Sequence, residues 1–524
     1  MKRFNIYMLA LVGVMGLASC DKYLDKMPDN RTELDTKEKI NDMLVAAYPS
    51  TNYAEICEMT SDNTDHMAGA NYSALNSIQE KLATWKDVTS EDNDSPYALW
   101  NACYHAIASA NMVLQAISEL PDPESMAAQK AEALICRAYN HFILTNIFTV
   151  GYRPSTASTD LGIPYVKTVE TTVSPTYDRG SVADDYAEME KDILEALPNI
   201  NNAIHEITSY HFNKKAAYAF AARFYLYYVK PDKSNYQKVI EYAYQVLGSD
   251  PASSLRDWQT VGGLTPNGGV RQTQFVDASE PANLLLYSTY STWDRICGPY
   301  GLGTKYIHGK NIADTETSKT SKTLWGASSQ MYFTIPQYSQ LQKVIMPKID
   351  EFFEYTDVVN RIGIVHIMFP AILTDEVILN RAEAYTMLGQ YDKALEDLNT
   401  FVHKFTKYTG TIDAQRVESV YGPSMAYYTP TNPTPKKALN PDFAVEQGQQ
   451  ENFIQAILHT RRILTLHEGL RWFDVKRYGL KIYRRTYNPD KTYEVTDSMD
   501  VNDPRRAIQI PEPVVKAGLP ANPR

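Results

Sequence analysis

Three tryptophans lie in stretches whose composition is that of loops: Trp85 in LATWKDVTSEDNDSP, Trp293 in YSTYSTWDRICGPYG, and Trp325 in a segment rich in Gly, Ser and Thr. Tyr290 and Arg295 flank Trp293, and an earlier SDNTD run supplies Asp62, Asn63 and Asp65. Flat apolar rings beside carboxylate, amide and guanidinium groups are the two ingredients for holding a flat, polyhydroxylated ligand without breaking a bond in it. The expectation is that these eight side chains are exposed in loops and act as a set; for each ring, packing in the core is the competing use. Nothing in the sequence reads as a reaction centre. There is no GxSxG, HExxH, P-loop or dinucleotide fingerprint. Histidines His66, His105, His141, His205 and His211 are scattered, with no His/Cys cluster at metal-ligand spacing, so no metal and no cofactor is expected.

The elements that must position these residues read as helices. With 524 residues, 44% hydrophobic and 22% charged, the chain can bury a large core, and disordered and fibrous classes are excluded. A net charge of -11 leaves no basic footprint for nucleic acid. Apolar residues recur at helical spacing from Ile40 to Ala47, Leu99 to Ile117, Met126 to Phe148 and Val182 to Leu197. Two stretches have the character of tetratricopeptide (TPR) helix-turn-helix units. In Leu379 to Phe401, small Ala382 precedes Tyr385 by three, Gly389 ends the helix, and Tyr391 and Ala394 open its partner. Ala216 to Leu247 repeats the scheme with Ala219, Ala222 and Tyr225, then Tyr236, Val239 and Ala243. Between these units, residues 249–347 lose the helical period, carry GGLTPNGG and many aromatics, and read as an ordered, irregular insertion with short strands.

The amino terminus reads as an address. Lys2 and Arg3 precede an apolar run from Ile6 to Leu17, too short for the roughly 20 residues of a spanning helix, and Leu17-Ala18-Ser19-Cys20 resembles a bacterial lipobox. Residues 1–19 are then a signal peptide, Cys20 carries acyl chains that hold the protein on a membrane, 20–36 is a tether, and 37–524 is one helical domain. Losing Lys2 and Arg3 makes the mature chain two units more negative. Cys57, Cys103, Cys136 and Cys297 match no metal or CxxC pattern and read as buried thiols.

Tyr23-Leu24-Asp25 with Pro28, Asp62-Asn63, the Trp100 helix with Ala110-Asn111, RRILTLHEGLRWFDVKRYG (461–479) and DPRRAIQIP (503–511) together resemble the SusD/RagB family of outer-membrane nutrient-uptake lipoproteins. The likeness spans the mature chain and departs at Leu464 and Thr465, where the family usually has Glu and Leu, which puts one local ion pair in question. The resemblance implies a mostly α body with about four TPR-like units and an irregular face that holds an oligo- or polysaccharide. It also implies a SusC-like TonB-dependent outer-membrane barrel as partner, with this protein as its lid facing the cell exterior. Glu468, Arg471, Asp474 and Arg477 fall three apart, an alternating strip that reads as a helix-docking array rather than a catalytic carboxyl pair. A TPR-like protein-interaction scaffold and a peptide-capturing uptake lipoprotein remain as alternatives; a glycoside hydrolase lacks any supporting motif.

Overall fold

The computed structural model of the protein describes residues 34–172, 175–338, 342–488, 490 and 492–524. The signal peptide, Cys20 and the tether up to residue 33 lie outside them. Among the described residues no helix is long and apolar enough to cross a membrane.

Numbering helices of eight or more residues in chain order, the body contains α1 Lys37–Val45, α2 Pro96–Glu119, α3 Ala127–Phe148, α4 Val182–Ala196, α5 Lys214–Tyr227, α6 Ser234–Leu247, α7 Thr374–Met387, α8 Tyr391–Phe405, α9 Ala414–Tyr421, α10 Gln449–Leu464 and α11 Leu470–Arg477. Local chemistry sets several starts. Thr36 caps α1, Ser95 caps α2 with Pro96 following, and Ser181 and Asp184 form a reciprocal capping box on α4. Gly389, at φ 71°, takes the left-handed turn that separates α7 from α8. Four successive pairs pack together, α2 on α3, α5 on α6, α7 on α8 and α9 on α10, as the TPR reading expects. Their small residues Ala219, Ala222, Ala243, Ala382 and Ala394 are fully buried, which lets the helix backbones approach and leaves the gaps to Tyr and Phe.

The insertion is irregular but ordered, mixing short helices with strands. Strand β1 (Asp65–Met67) joins β3 (Tyr306–Ile307), β8 (Ile482–Tyr487) and β9 (Tyr493–Met499) in a sheet of order β3-β1-β8-β9. Strands β2 (Asn283–Thr289), β6 (Glu351–Asp357) and β7 (Ile362–Leu373) form a second sheet of order β2-β7-β6, and β4 (Gln337–Tyr338) pairs with β5 (Lys343–Val344). The second sheet is wedged into the helical core at its Tyr287–Phe369 end, while β6 and β7 run outward as a hairpin with exposed Val358, Val359 and Ile362 at its tip. All four described cysteines are buried and unpaired.

Candidate functional site

The SDNTD segment corrects one expectation. Asp62, Asn63 and Asp65 are not loop donors facing solvent; they are buried where α10, α11 and β8 meet. Arg471 forks onto Asp62 at 2.8 and 2.9 Å, and Arg462 bonds Asn63 Oδ1 and the Asp62 carbonyl. Arg485 reaches both Asp65 and Glu316, and Lys437 adds to Glu316. Burial opposes the Asp62 charge, yet Arg462, Arg471 and Lys437 outweigh it and hold the carboxyl well below the usual range. Glu316 is drawn down to about 2 by Lys437, Arg485 and Arg462 against the same opposition from burial. The C-terminal strip docks its helix, although mostly through distant partners: Glu468 pairs with Lys348, Arg471 with Asp62, and Asp474 with Arg461 and Arg477. At the Leu464 departure, the Lys348 ammonium donates to the Leu464 carbonyl at 2.7 Å as well as to Glu468.

The tryptophans correct a second expectation, that of exposure. Trp85, Trp293 and Trp325 are 8%, 1% and 2% exposed. Trp85 lies between the guanidiniums of Arg484 and Arg505, at 4.8 and 5.4 Å, and its indole N–H donates to the Thr60 carbonyl. Trp293 donates to the His467 carbonyl at 2.9 Å, and Trp325 packs edge-on against Phe405. Their loops are local in sequence but are sealed by elements far away in the chain.

Tyr290 and Arg295 stand apart from this set. Tyr290 is 44% exposed, and its backbone N–H is fixed to the Ser50 carbonyl. The following turn is clamped by Asp94, which accepts from the Ser291 hydroxyl and the Thr292 N–H. Arg295 makes a two-pronged pair with Glu351 at 2.7 and 2.9 Å through Nε and Nη2, leaving its Nη1 donors outside the pair. Glu351 opens β6, and because side chains alternate along a strand, Phe353 and Tyr355 share its face. Both rings are exposed, at 48% and 54%, and stand edge to face 4.9 Å apart. Gly363 on β7 makes room for this arrangement, since a Cβ there would meet the Phe353 ring at 2.6 Å. A third exposed tyrosine, Tyr300, is presented by a loop that the buried Lys343 ammonium pins through the carbonyls of Gly298, Tyr300 and Leu302. Under that loop, burial and the neighbouring Asp350 carboxyl push Asp294 up to about 8, so it keeps its proton at neutral pH. The result is a shallow face of Tyr300, Phe353 and Tyr355 around Arg295–Glu351, with Tyr290 exposed on the turn after β2. The sequence reading names Tyr290 and Arg295 and not the β6 rings, which stand in a short aromatic-rich run, Glu351–Asp357.

Two other features are placed by the fold. A mostly apolar cleft of about 980 Å³ lies between α2, residues 164–171 and 175–177, and residues 514–519, with Leu34, Met43, Met112 and Tyr177 among its walls. Elsewhere Glu132, His205 and His211 converge, although the sequence treats the two histidines as scattered.

The family described as "Starch-binding associating with outer membrane" (SusD-like_3) matches residues 22–226, and the "SusD family" (SusD_RagB) matches residues 222–516. No curated protein matches the chain. A SusD superfamily protein of Bacteroides thetaiotaomicron superposes with a TM-score of 0.61 at 18% identity, over 93% of this chain and 98% of its own. A SusD-like carbohydrate binding protein of Bacteroides vulgatus gives 0.58 at 14%, over 92% and 96%, and a SusD superfamily protein of Parabacteroides distasonis gives 0.58 at 17%, over 93% and 99%. At these identities the structures establish a shared fold.

Proposed function

Since the chain belongs to the SusD family, we propose that it is a non-catalytic, cell-surface glycan-binding lipoprotein that captures an oligo- or polysaccharide and passes it to a SusC-like TonB-dependent barrel, over which it acts as a lid. The observation that carries this reading is the exposed ring face of Phe353 and Tyr355 beside the Arg295–Glu351 fork. The rings offer flat apolar surfaces to the C–H faces of sugar rings, and the free guanidinium donors and the Tyr290, Tyr300 and Tyr355 hydroxyls offer hydrogen bonds to sugar hydroxyls. A shallow, solvent-open face suits a carrier that must release its cargo, with affinity of micromolar to millimolar order, roughly -8 to -4 kcal/mol. Acyl chains on Cys20 would hold the body at the outer membrane without a spanning helix.

A second reading, capture of an extended apolar or peptide ligand, is favoured by the 980 Å³ cleft alone. Affinity electrophoresis of the intact protein through gels containing neutral polysaccharides, run beside peptide-binding measurements, separates the two. Retardation by at least one polysaccharide, with no reducing ends released on long incubation, supports glycan capture. Peptide binding with no retardation supports the cleft, and release of reducing sugar would revive an enzyme.

A further inference from the structure

Independently of the glycan reading, one buried cluster has the composition of a metal site. Glu132, on α3, is 1% exposed, and its two carboxylate oxygens are treated unequally. Oε1 accepts from the Tyr48 hydroxyl at 2.7 Å and lies 2.8 Å from His211 Nδ1. Oε2 is buried without a hydrogen-bond partner and faces His205 Nε2 at 3.5 Å, too far for a hydrogen bond. A charged oxygen left unpaired in the interior is costly, and structures normally supply a partner. Both histidines come from the connector between α4 and α5, spaced H-x5-H, and their rings stack at 4.1 Å with planes 9° apart, so one ring must turn about its side-chain bonds before both in-plane lone pairs meet a single ion. One ligand atom from each of the three residues falls within 4.8 Å of the others.

We infer that Glu132, His205 and His211 form a binding site for a divalent transition-metal ion of the zinc class, closing the α4–α5 connector onto α3. Two imidazoles and one carboxylate are a recurrent zinc donor set, completed by water. With metal–ligand bonds of about 2.0–2.1 Å, neighbouring ligand atoms in a tetrahedron stand about 3.3–3.4 Å apart, close to the Oε2–Nε2 separation. Two nitrogen ligands argue against Mg²⁺ and Ca²⁺, which take oxygen. The surroundings resemble an outer shell. Tyr48 holds Oε1, accepts the Phe212 N–H at 2.6 Å, and meets His211 edge-on, so the carboxylate and one ring are oriented before any ion arrives. His211 is partly exposed and gives the ion a way in.

The test uses the intact protein in detergent, without a histidine tag and stripped of metal by chelator. Titration with Co²⁺ should give visible absorption of a four-coordinate ion, saturating at one equivalent, and Zn²⁺ should displace it and raise the melting temperature. His205→Gln with His211→Gln should weaken Co²⁺ binding at least 100-fold and abolish the Zn²⁺-induced shift, while Tyr48→Phe should weaken binding by about 10-fold. Should the double variant fail to fold, histidine ring proton signals of the wild type decide, with two rings and no more shifting on Zn²⁺ addition. The absence of stoichiometric uptake by folded wild type, equal uptake by wild type and double variant, or octahedral cobalt spectra would overturn the site.

Discussion

Replacing Trp293 by Ala removes a fully buried indole and strands the His467 carbonyl that accepts from it, a loss of about 3–5 kcal/mol that differential scanning calorimetry should register as a large fall in melting temperature. Phe353→Ala and Tyr355→Ala delete exposed rings, so each should leave the melting temperature almost unchanged while weakening glycan binding about tenfold, near 1.4 kcal/mol. Glycan affinity lost with Trp293 at unchanged stability would reverse these assignments. Asp294 gives the face a pH dependence. Its pKa rises from 3.8 to about 8, so its contribution to stability is complete below about pH 4 and is lost as pH climbs through about 8. Melting temperature measured from pH 5 to 9 should therefore fall more steeply in wild type than in Asp294→Asn, which cannot ionise beside Asp350; parallel slopes would contradict the upward shift of Asp294. Local composition indicated that Trp85, Trp293 and Trp325 lie in loops, which they do, but not that those loops are sealed. The partners of Trp85 are Arg484 and Arg505, some 400 residues away, and no window of sequence contains both ends of that contact.

Among the elements, the helix pairs were readable because their signal is short-range: an alanine three or four residues from a tyrosine, with a glycine at the turn, as in Ala382, Tyr385 and Gly389. The docking of α10 and α11 was only half readable. The alternating charges were visible, yet the pairing with Asp62, Glu316, Glu383 and Lys348 depends on the folded chain. This buried network fixes how the C-terminal helices seat on the 62–65 segment, and its members cannot be removed singly without leaving an uncompensated charge. Arg471→Ala should therefore cost about 3–5 kcal/mol, measured by urea unfolding, despite lying far from the exposed ring face. A change below about 1 kcal/mol would mean that water reaches Asp62 and that the network is not closed. The β6–β7 hairpin was missed because adjacent Phe352 and Phe353 break a polar–apolar alternation, and only the pairing of β6 with β7 fixes which side each ring takes.

At the scale of the whole molecule, a rigid helical body carries a shallow ring face on one side and an apolar cleft elsewhere. No described helix is long and apolar enough to cross a membrane, and the proposal assigns anchoring to Cys20. Cys20→Ser should release the protein from the membrane fraction and abolish palmitate incorporation while leaving its helical circular dichroism unchanged; retention of both would remove the anchor from the account. The central claim is that the exposed rings of β6 hold a saccharide. Isothermal titration of the retarding polysaccharide into wild type and into the Phe353→Ala/Tyr355→Ala variant tests it most directly. The account predicts saturable binding by wild type and at least about tenfold weaker binding by the double variant, whose touching rings need not act additively, at the same melting temperature. Equal affinity in the two proteins would contradict it.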